Sequence, residues 1–268
     1  MSLPTRPLRL SAAALILALS GLTSIAGCGL NISNQAEAKD EWKKSYTLSA
    51  GGTLEIRNTN GQIDIQPSDG TTVEIVAERI VRASNDQSAK DALAQLEIKE
   101  QVSSDKVVLE SGAHLGTTIF FGGSREVRYH VRAPRTTNLY LVTTNGGVQV
   151  RDIAGTFHAE TTNGNIEATG LSNSAKAETT NGHIELEMAQ VGEGGVNCST
   201  TNGAVTITVP KETKARISAR VTNGAINTDG LTLGDVEQQR RRLDATINGG
   251  GASIRVETTN GSITLKGK

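Results

Sequence analysis

Apolar residues occupy every second position in many short runs along this chain. Leu139 and Leu141 belong to one run, and Ile184 and Leu186 belong to another. This alternation is the period of a β-strand that buries one face and exposes the other. The pattern therefore predicts an all-β protein built from short, half-buried strands.

The tripeptide Thr-Asn-Gly separates these runs, and it recurs at nearly fixed spacing. In the central series the asparagines are 18, 18, 21 and 21 residues apart, at positions 145, 163, 181, 202 and 223. Such self-similarity indicates a repeat architecture. The predicted repeat corners are Asn60 and Gly61, Asn145 and Gly146, Asn163 and Gly164, Asn181 and Gly182, Asn202 and Gly203, Asn223 and Gly224, and Asn260 and Gly261.

Two geometries are compatible with an Asn-Gly pair between strands. One is a β-hairpin closed by a type I′ turn, and the other is the corner of a β-solenoid in which each repeat forms one coil. The solenoid is favoured, because stacked corners place equivalent side chains one strand spacing apart, about 4.8 Å, where asparagines can bond in a row. A positive φ is expected at the corner glycines, Gly182 among them.

The N-terminal residues have the features of a targeting segment. Arg6 and Arg9 precede an apolar stretch, which is followed by Ala26, Gly27 and Cys28. This resembles the lipobox of bacterial lipoproteins, which implies that residues 1–27 are a signal peptide and that Cys28 is acylated. The resemblance implies an extracytoplasmic protein that is lipid-anchored to a membrane, the outer membrane if the cell has two.

The remaining chain is predicted to hold a polar tether and one domain. Residues 28–44 lack a hydrophobic period and are expected to form the tether. Residues 45–268 are expected to form a single solenoid domain, irregular over 45–135 and regular over 136–268. The irregular part contains the only strong helix pattern, over residues 86–96, with helix-capping residues before it.

Composition and charge exclude several classes of function. Loss of Arg6 and Arg9 with the signal peptide changes the formal net charge from −1 to −3, which does not favour nucleic acid as a partner. None of the four histidines has a metal-ligand spacing, and the sequence indicates neither a metal site, a cofactor nor a catalytic residue. Cys198, the second cysteine, alternates with apolar neighbours and is predicted to be buried.

Two irregular segments are candidates for contact with a partner. Phe120 and Phe121 lie in a glycine-flanked stretch, residues 112–124, that is predicted to fold back as a lid or to carry an apolar contact tip. Arg240, Arg241 and Arg242 form a basic run that is predicted to be a solvated bend, with an anion- or glycan-binding role as the alternative.

The repeats resemble a bacterial family of putative adhesins that carry Thr-Asn-Gly strand repeats and whose domain has no established activity. The resemblance rests on Leu54–Ile63, Leu139–Val148, Ala159–Ile166 and Ala177–Ile184. It implies a right-handed β-helix-like fold on the cell envelope and carries over no catalytic residue.

The expected function is a non-enzymatic envelope lipoprotein, an adhesin or scaffold with an envelope protein or a glycan as partner. A sensory or regulatory envelope module is the alternative that the sequence leaves open. A polysaccharide-active enzyme is a further one, which the shortage of aromatic residues and of clustered acids and bases disfavours.

Overall fold

A computed structural model describes residues 36–112 and 123–268. These residues form one α-helix and a series of mostly short strands. The elements in chain order are β1 (Ala36–Thr47), β2 (Thr53–Arg57), β3 (Ile63–Ser68), β4 (Thr72–Ala83), α1 (Asp86–Ala94), β5 (Ile98–Val102), β6 (Lys106–Ser111), β7 (Ser124–Pro134), β8 (Asn138–Asn145), β9 (Val148–Arg151), β10 (Phe157–Asn163), β11 (Ile166–Leu171), β12 (Ala175–Asn181), β13 (Ile184–Met188), β14 (Val196–Asn202), β15 (Val205–Val209), β16 (Ala215–Asn223), β17 (Ile226–Asp229), β18 (Leu233–Gln239), β19 (Arg242–Ile247), β20 (Ala252–Asn260) and β21 (Ile263–Gly267).

The strands of the described residues assemble into two long sheets. Sheet A has ten strands in the order β1-β4-β7-β3-β9-β11-β13-β15-β21-β17. Sheet B has eleven strands in the order β18-β19-β16-β20-β14-β12-β10-β8-β2-β6-β5. Pairing is parallel through the middle of each sheet, and antiparallel strands occur only towards the ends.

Each repeat is a rung in which a strand of sheet B runs through an Asn-Gly corner into a strand of sheet A. Neighbouring rungs pair in register, so that Asn163 in β10 lies beside Asn145 in β8 and Asn181 in β12. This confirms the predicted β-solenoid. The hairpin alternative is wrong, because the two strands that flank a corner belong to different sheets and do not pair with each other.

The inward positions of both sheets share one core. Alternating apolar residues of neighbouring rungs stack in columns, such as Ala177, Cys198 and Val256 in sheet B. All three are fully buried, and Cys198 is a free thiol whose pKa is raised by burial. Cys198 therefore fills a small apolar position in the column, as the sequence predicts.

Rung order differs from chain order at both ends of the solenoid. The last rung in the chain, β20–β21, lies between β14–β15 and β16–β17. Similarly, β2–β3 lies between β6–β7 and β8–β9. As a result, the row of corner asparagines does not follow chain order, because Asn260 lies between Asn202 and Asn223.

The N-terminal end of the solenoid carries the helix. Helix α1 begins at Asp86, where the Asn85 side chain accepts a hydrogen bond from the Ser88 N–H, and it ends two residues earlier than predicted. Its buried residues are Ala89 and Ala92, and it packs against β4 and β1.

The predicted tether is wrong for residues 36–44. They belong to β1, which pairs antiparallel with β4 over its full length. Trp42 and Tyr46 of β1 pack against the core, while the other face is charged and exposed. An edge strand with so much exposed polar surface lacks the apolar alternation by which the sequence identifies a strand.

Candidate contact surface

The corner asparagines form one continuous ladder. Each side-chain amide donates a hydrogen bond from Nδ2 to the Oδ1 of the asparagine in the next rung, at 2.8–2.9 Å. In spatial order the ladder contains Asn60, Asn145, Asn163, Asn181, Asn202, Asn260 and Asn223. At its N-terminal end Asn60 donates instead to the backbone carbonyl of Arg125.

The corner glycines form a second column. Gly61, Gly224 and Gly261 have the predicted positive φ, but at the other four corners the reason for glycine differs from the predicted one. Gly182 does not have a positive φ. A methyl group added at Gly182 would lie 1.9 Å from the carbonyl oxygen of Gly164 in the neighbouring rung. Gly146, Gly164 and Gly203 meet the same kind of obstacle at 1.9–2.1 Å. Close backbone stacking, rather than a left-handed conformation, therefore requires glycine at these corners.

A buried threonine precedes each regular corner by two residues, and its role was not predicted from the sequence. Its hydroxyl donates to the carbonyl oxygen of the corner glycine in the neighbouring rung, at 2.9–3.4 Å. The residues are Thr143, Thr161, Thr179, Thr200 and Thr258. The signal was present as a doubled threonine, Thr-Thr-Asn-Gly, whose first member falls on the inward face.

The first and last rungs of the ladder carry other residues at this position. Asn58 replaces the threonine in the rung of Asn60, and its Nδ2 contacts the carbonyl oxygens of Gly61 and Val127. The Ser111 hydroxyl donates to Asn58 Oδ1. Val221 occupies the position in the rung of Asn223 and is also buried. Asn58 thus ties the β2–β3 corner to both neighbouring strands, β6 and β7.

The outer face of sheet B carries a row of side chains that we call the central row: Tyr140, His158, Lys176 and Asn197. These residues are in register on β8, β10, β12 and β14. The Tyr140 and His158 rings are 4.5 Å apart between centroids and tilted by 58°. The row lines an open groove of about 500 Å³. An aromatic pair followed by a cation and an amide is a surface that can hold an extended polar chain.

Charged groups beside the central row are paired with one another, both along a strand and between neighbouring strands. Glu160 Oε1 lies 2.6 Å from His158 Nε2 and 3.4 Å from Lys176 Nζ, and Lys176 also contacts Glu178 at 3.1 Å. Burial alone would raise the pKa of Glu160, but hydrogen bonds and charges from His158 and Lys176 outweigh it and lower the pKa. Glu160 and Glu178 are therefore ion-pair partners of Lys176, and the Lys176–Glu160 contact joins β12 to β10.

Glu55, another carboxylate of sheet B, is almost fully buried. Glu55 accepts a hydrogen bond from Arg57 Nε at 2.5 Å and contacts Lys106 Nζ at 2.8 Å. Burial opposes its ionisation, yet the two cations together lower the pKa of Glu55. The Lys106 contact joins β6 to β2, and the two cations compensate the buried charge of Glu55.

The arginine run forms a tight turn, in keeping with the predicted bend. Arg240 and Arg241 connect β18 to β19, and all three arginines are exposed. Arg242 is paired with Asp244, and this hydrogen bond is the main cause of a lowered pKa at Asp244. Arg241 and Arg242 line a surface groove together with Arg220. The turn lies at the C-terminal end of sheet B, beyond the central row.

Several predicted features lie outside the described residues. These are the signal peptide, Cys28 with the rest of the predicted tether up to residue 35, and the pair Phe120 and Phe121. Within residues 36–112 and 123–268, no group of three or more His, Cys, Asp or Glu residues is placed to hold a metal ion. The same residues include no helix long and apolar enough to cross a membrane.

The parallel rungs and their corners match a known family. The sequence profile of the Toastrack DUF4097 family covers residues 130–266, just over half of the chain. The chain belongs to this family. The matched region begins in β7 and ends in β21, so the Toastrack region includes every regular rung of the series.

The solved structures that are similar to this protein have low sequence identity to it. One is a "putative cell adhesion protein" from Clostridium sporogenes, 14% identical, with a TM-score of 0.45, covering 85% of this chain and 100% of its own. Another is a "putative adhesin" from Bacteroides fragilis, 11% identical, with a TM-score of 0.29, covering 86% of this chain and 98% of its own. Comparison with the curated proteins finds no match.

Proposed function

We propose that this Toastrack protein is a non-enzymatic, lipid-anchored envelope protein that acts as an adhesin or scaffold. The observation that carries the proposal is the outer face of sheet B, where in-register rungs present the central row along an open groove. Repeat proteins use such regular, elongated surfaces for extended contacts. The adhesion names of the two solved structures agree with this proposal but belong to those proteins.

The arrangement of charges supports binding rather than catalysis. A glycosidase-type reaction needs two carboxyl groups that converge on one bond, with one of them held protonated. On sheet B, Lys176 lies between Glu160 and Glu178, and the pKa of Glu160 is lowered, which favours the ionised form. The partner we propose is an extended envelope glycan or an envelope protein segment that follows the groove.

The contact surface can be tested by capture from envelope extract with the immobilised full chain. We expect Tyr140→Ser combined with Lys176→Ser to reduce capture by about tenfold, since aromatic and cationic contacts contribute on the order of 1–2 kcal/mol together. Comparison variants are Phe120→Ser with Phe121→Ser, and the three arginines 240–242 changed to Ala. Exposed Glu41 and Lys43 on β1, both changed to Ala, form a charge-neutral control.

Undiminished capture by the central-row variant, with loss in one of the loop variants, would move the contact to that loop. Undiminished capture by all variants would reject the proposed surface. Turnover of an envelope polysaccharide by the pure protein would reject the non-enzymatic function itself.

The lipid anchor is tested separately at Cys28. We expect Cys28→Ser to abolish incorporation of radioactive palmitate and to leave the precursor unprocessed, because the thiol is the acylated group of a lipobox. Cys198→Ala is the matched control, since this buried thiol should not affect labelling. Normal labelling of the Cys28 variant would contradict the anchor.

A further inference from the structure

The chain contains eight Asn-Gly dipeptides, the seven of the ladder and Asn248–Gly249. Asn-Gly is chemically labile. The glycine backbone nitrogen attacks the asparagine side-chain Cγ and loses its proton, and the C–N bond to the side-chain amide breaks to release ammonia. Water then opens the resulting succinimide to aspartate or isoaspartate. Overall, asparagine and water give aspartate or isoaspartate and ammonia, with no redox partner.

Stacking protects six of the eight dipeptides. In each of them the backbone N–H of the glycine, whose nitrogen is the attacking atom, donates a hydrogen bond. The acceptor is the backbone carbonyl oxygen of the corner asparagine in an adjacent rung. The N···O distances are 2.8 Å at Gly61, 3.0 Å at Gly146, Gly164 and Gly182, 2.9 Å at Gly203 and 3.0 Å at Gly261. The asparagine amides are also held in the ladder. Attack at these corners therefore requires the rungs to separate first.

The Asn223 corner lacks this protection because its rung is the last in the ladder. Gly224 is exposed, and its N–H donates to no residue in the described part of the chain. The Asn223 amide keeps one ladder bond, from its Nδ2 to Asn260 Oδ1 at 2.9 Å. We propose that Asn223 is a site of spontaneous deamidation, the first of the ladder to convert to aspartate or isoaspartate.

Asn248 is exposed as well, but its side chain is held more firmly. Its Nδ2 donates to the carbonyl oxygens of Lys211 at 2.7 Å and Thr213 at 2.9 Å. Both amide hydrogens are thus used to hold the side chain on a neighbouring loop. We therefore expect Asn248 to deamidate more slowly than Asn223 and faster than the asparagines of the stacked corners.

Conversion at Asn223 changes the end of the solenoid. A carboxylate cannot donate to Asn260 Oδ1, so the last ladder bond is lost and two acceptors face each other. Isoaspartate also adds a methylene group to the main chain between β16 and β17. Both products weaken the attachment of β17, whose paired neighbour in sheet A is β21.

The test is a time course of the full chain in warm, mildly alkaline buffer, followed by digestion and peptide mass spectrometry. We expect Asn223 to convert at least about tenfold faster than any stacked corner, since those react only from opened states. In guanidinium chloride all eight sites should convert at similar rates. Asn223→Gln should remove the first product and leave the rate at Asn248 unchanged. A stacked corner that converts as fast as Asn223 in the folded protein, or an Asn248 that converts faster, overturns the proposal.

Discussion

Gly146→Ala is expected to lower the free energy of unfolding by about 3 kcal/mol or more, a loss seen only when packing leaves no room to adjust. The added methyl group would lie 2.1 Å from the carbonyl oxygen of Gly61, and that oxygen belongs to the backbone of a neighbouring rung. A side chain could rotate away, but a stacked backbone can yield only by separating the rungs. Urea-induced unfolding followed by circular dichroism measures the loss.

The next residue provides the matched control for this substitution. Gly147 lies in the same corner, and a methyl group there would meet the Asn165 carbonyl oxygen at 3.3 Å. Gly147→Ala should therefore cost less than about 1 kcal/mol, within the range of tolerated substitutions. Equal losses at both positions would show that backbone flexibility, rather than rung stacking, selects glycine in this corner.

The local features of the fold could be predicted from the sequence because they depend on local chemistry. Strand alternation identifies inward positions, and the recurring Asn-Gly identifies corners, whatever the order in which rungs stack. The conformation of Gly182 could not be predicted in the same way. Glycine permits both a positive φ and the close approach of another backbone segment. Only the position of the neighbouring rung shows which of the two applies at a given corner.

The order of rungs could not be predicted, because it is a property of pairing between distant segments. The rungs of Asn202, Asn223 and Asn260 all have a corner flanked by inward-facing apolar residues, so any two of them could pair in register. Strand β1 was not predicted because an edge strand needs little apolar alternation, and most residues of β1 are polar and exposed. The central row was missed because its members are neighbours only across strands.

Leu265→Ala is expected to lower the free energy of unfolding by about 3 kcal/mol, although the residue lies near the C-terminus. Chain ends usually fray and tolerate substitution. Leu265, however, belongs to β21, which lies between β15 and β17, with Ile207 on one side and Thr228 on the other. Its side chain is only 2% exposed, so truncation leaves a cavity inside the core.

Ile226→Ala is the comparison that separates position in the chain from position in the stack. Ile226 precedes Leu265 by many residues, but it lies on β17, at the edge of sheet A, and is only half-buried. Its truncation should cost about 1 kcal/mol, since a partly exposed side chain loses less contact and leaves no closed cavity. Urea-induced unfolding of both variants under identical conditions gives the two values. If Ile226→Ala proves the more damaging, β21 frays like an ordinary terminal strand, and the insertion of the last rung between its neighbours is wrong.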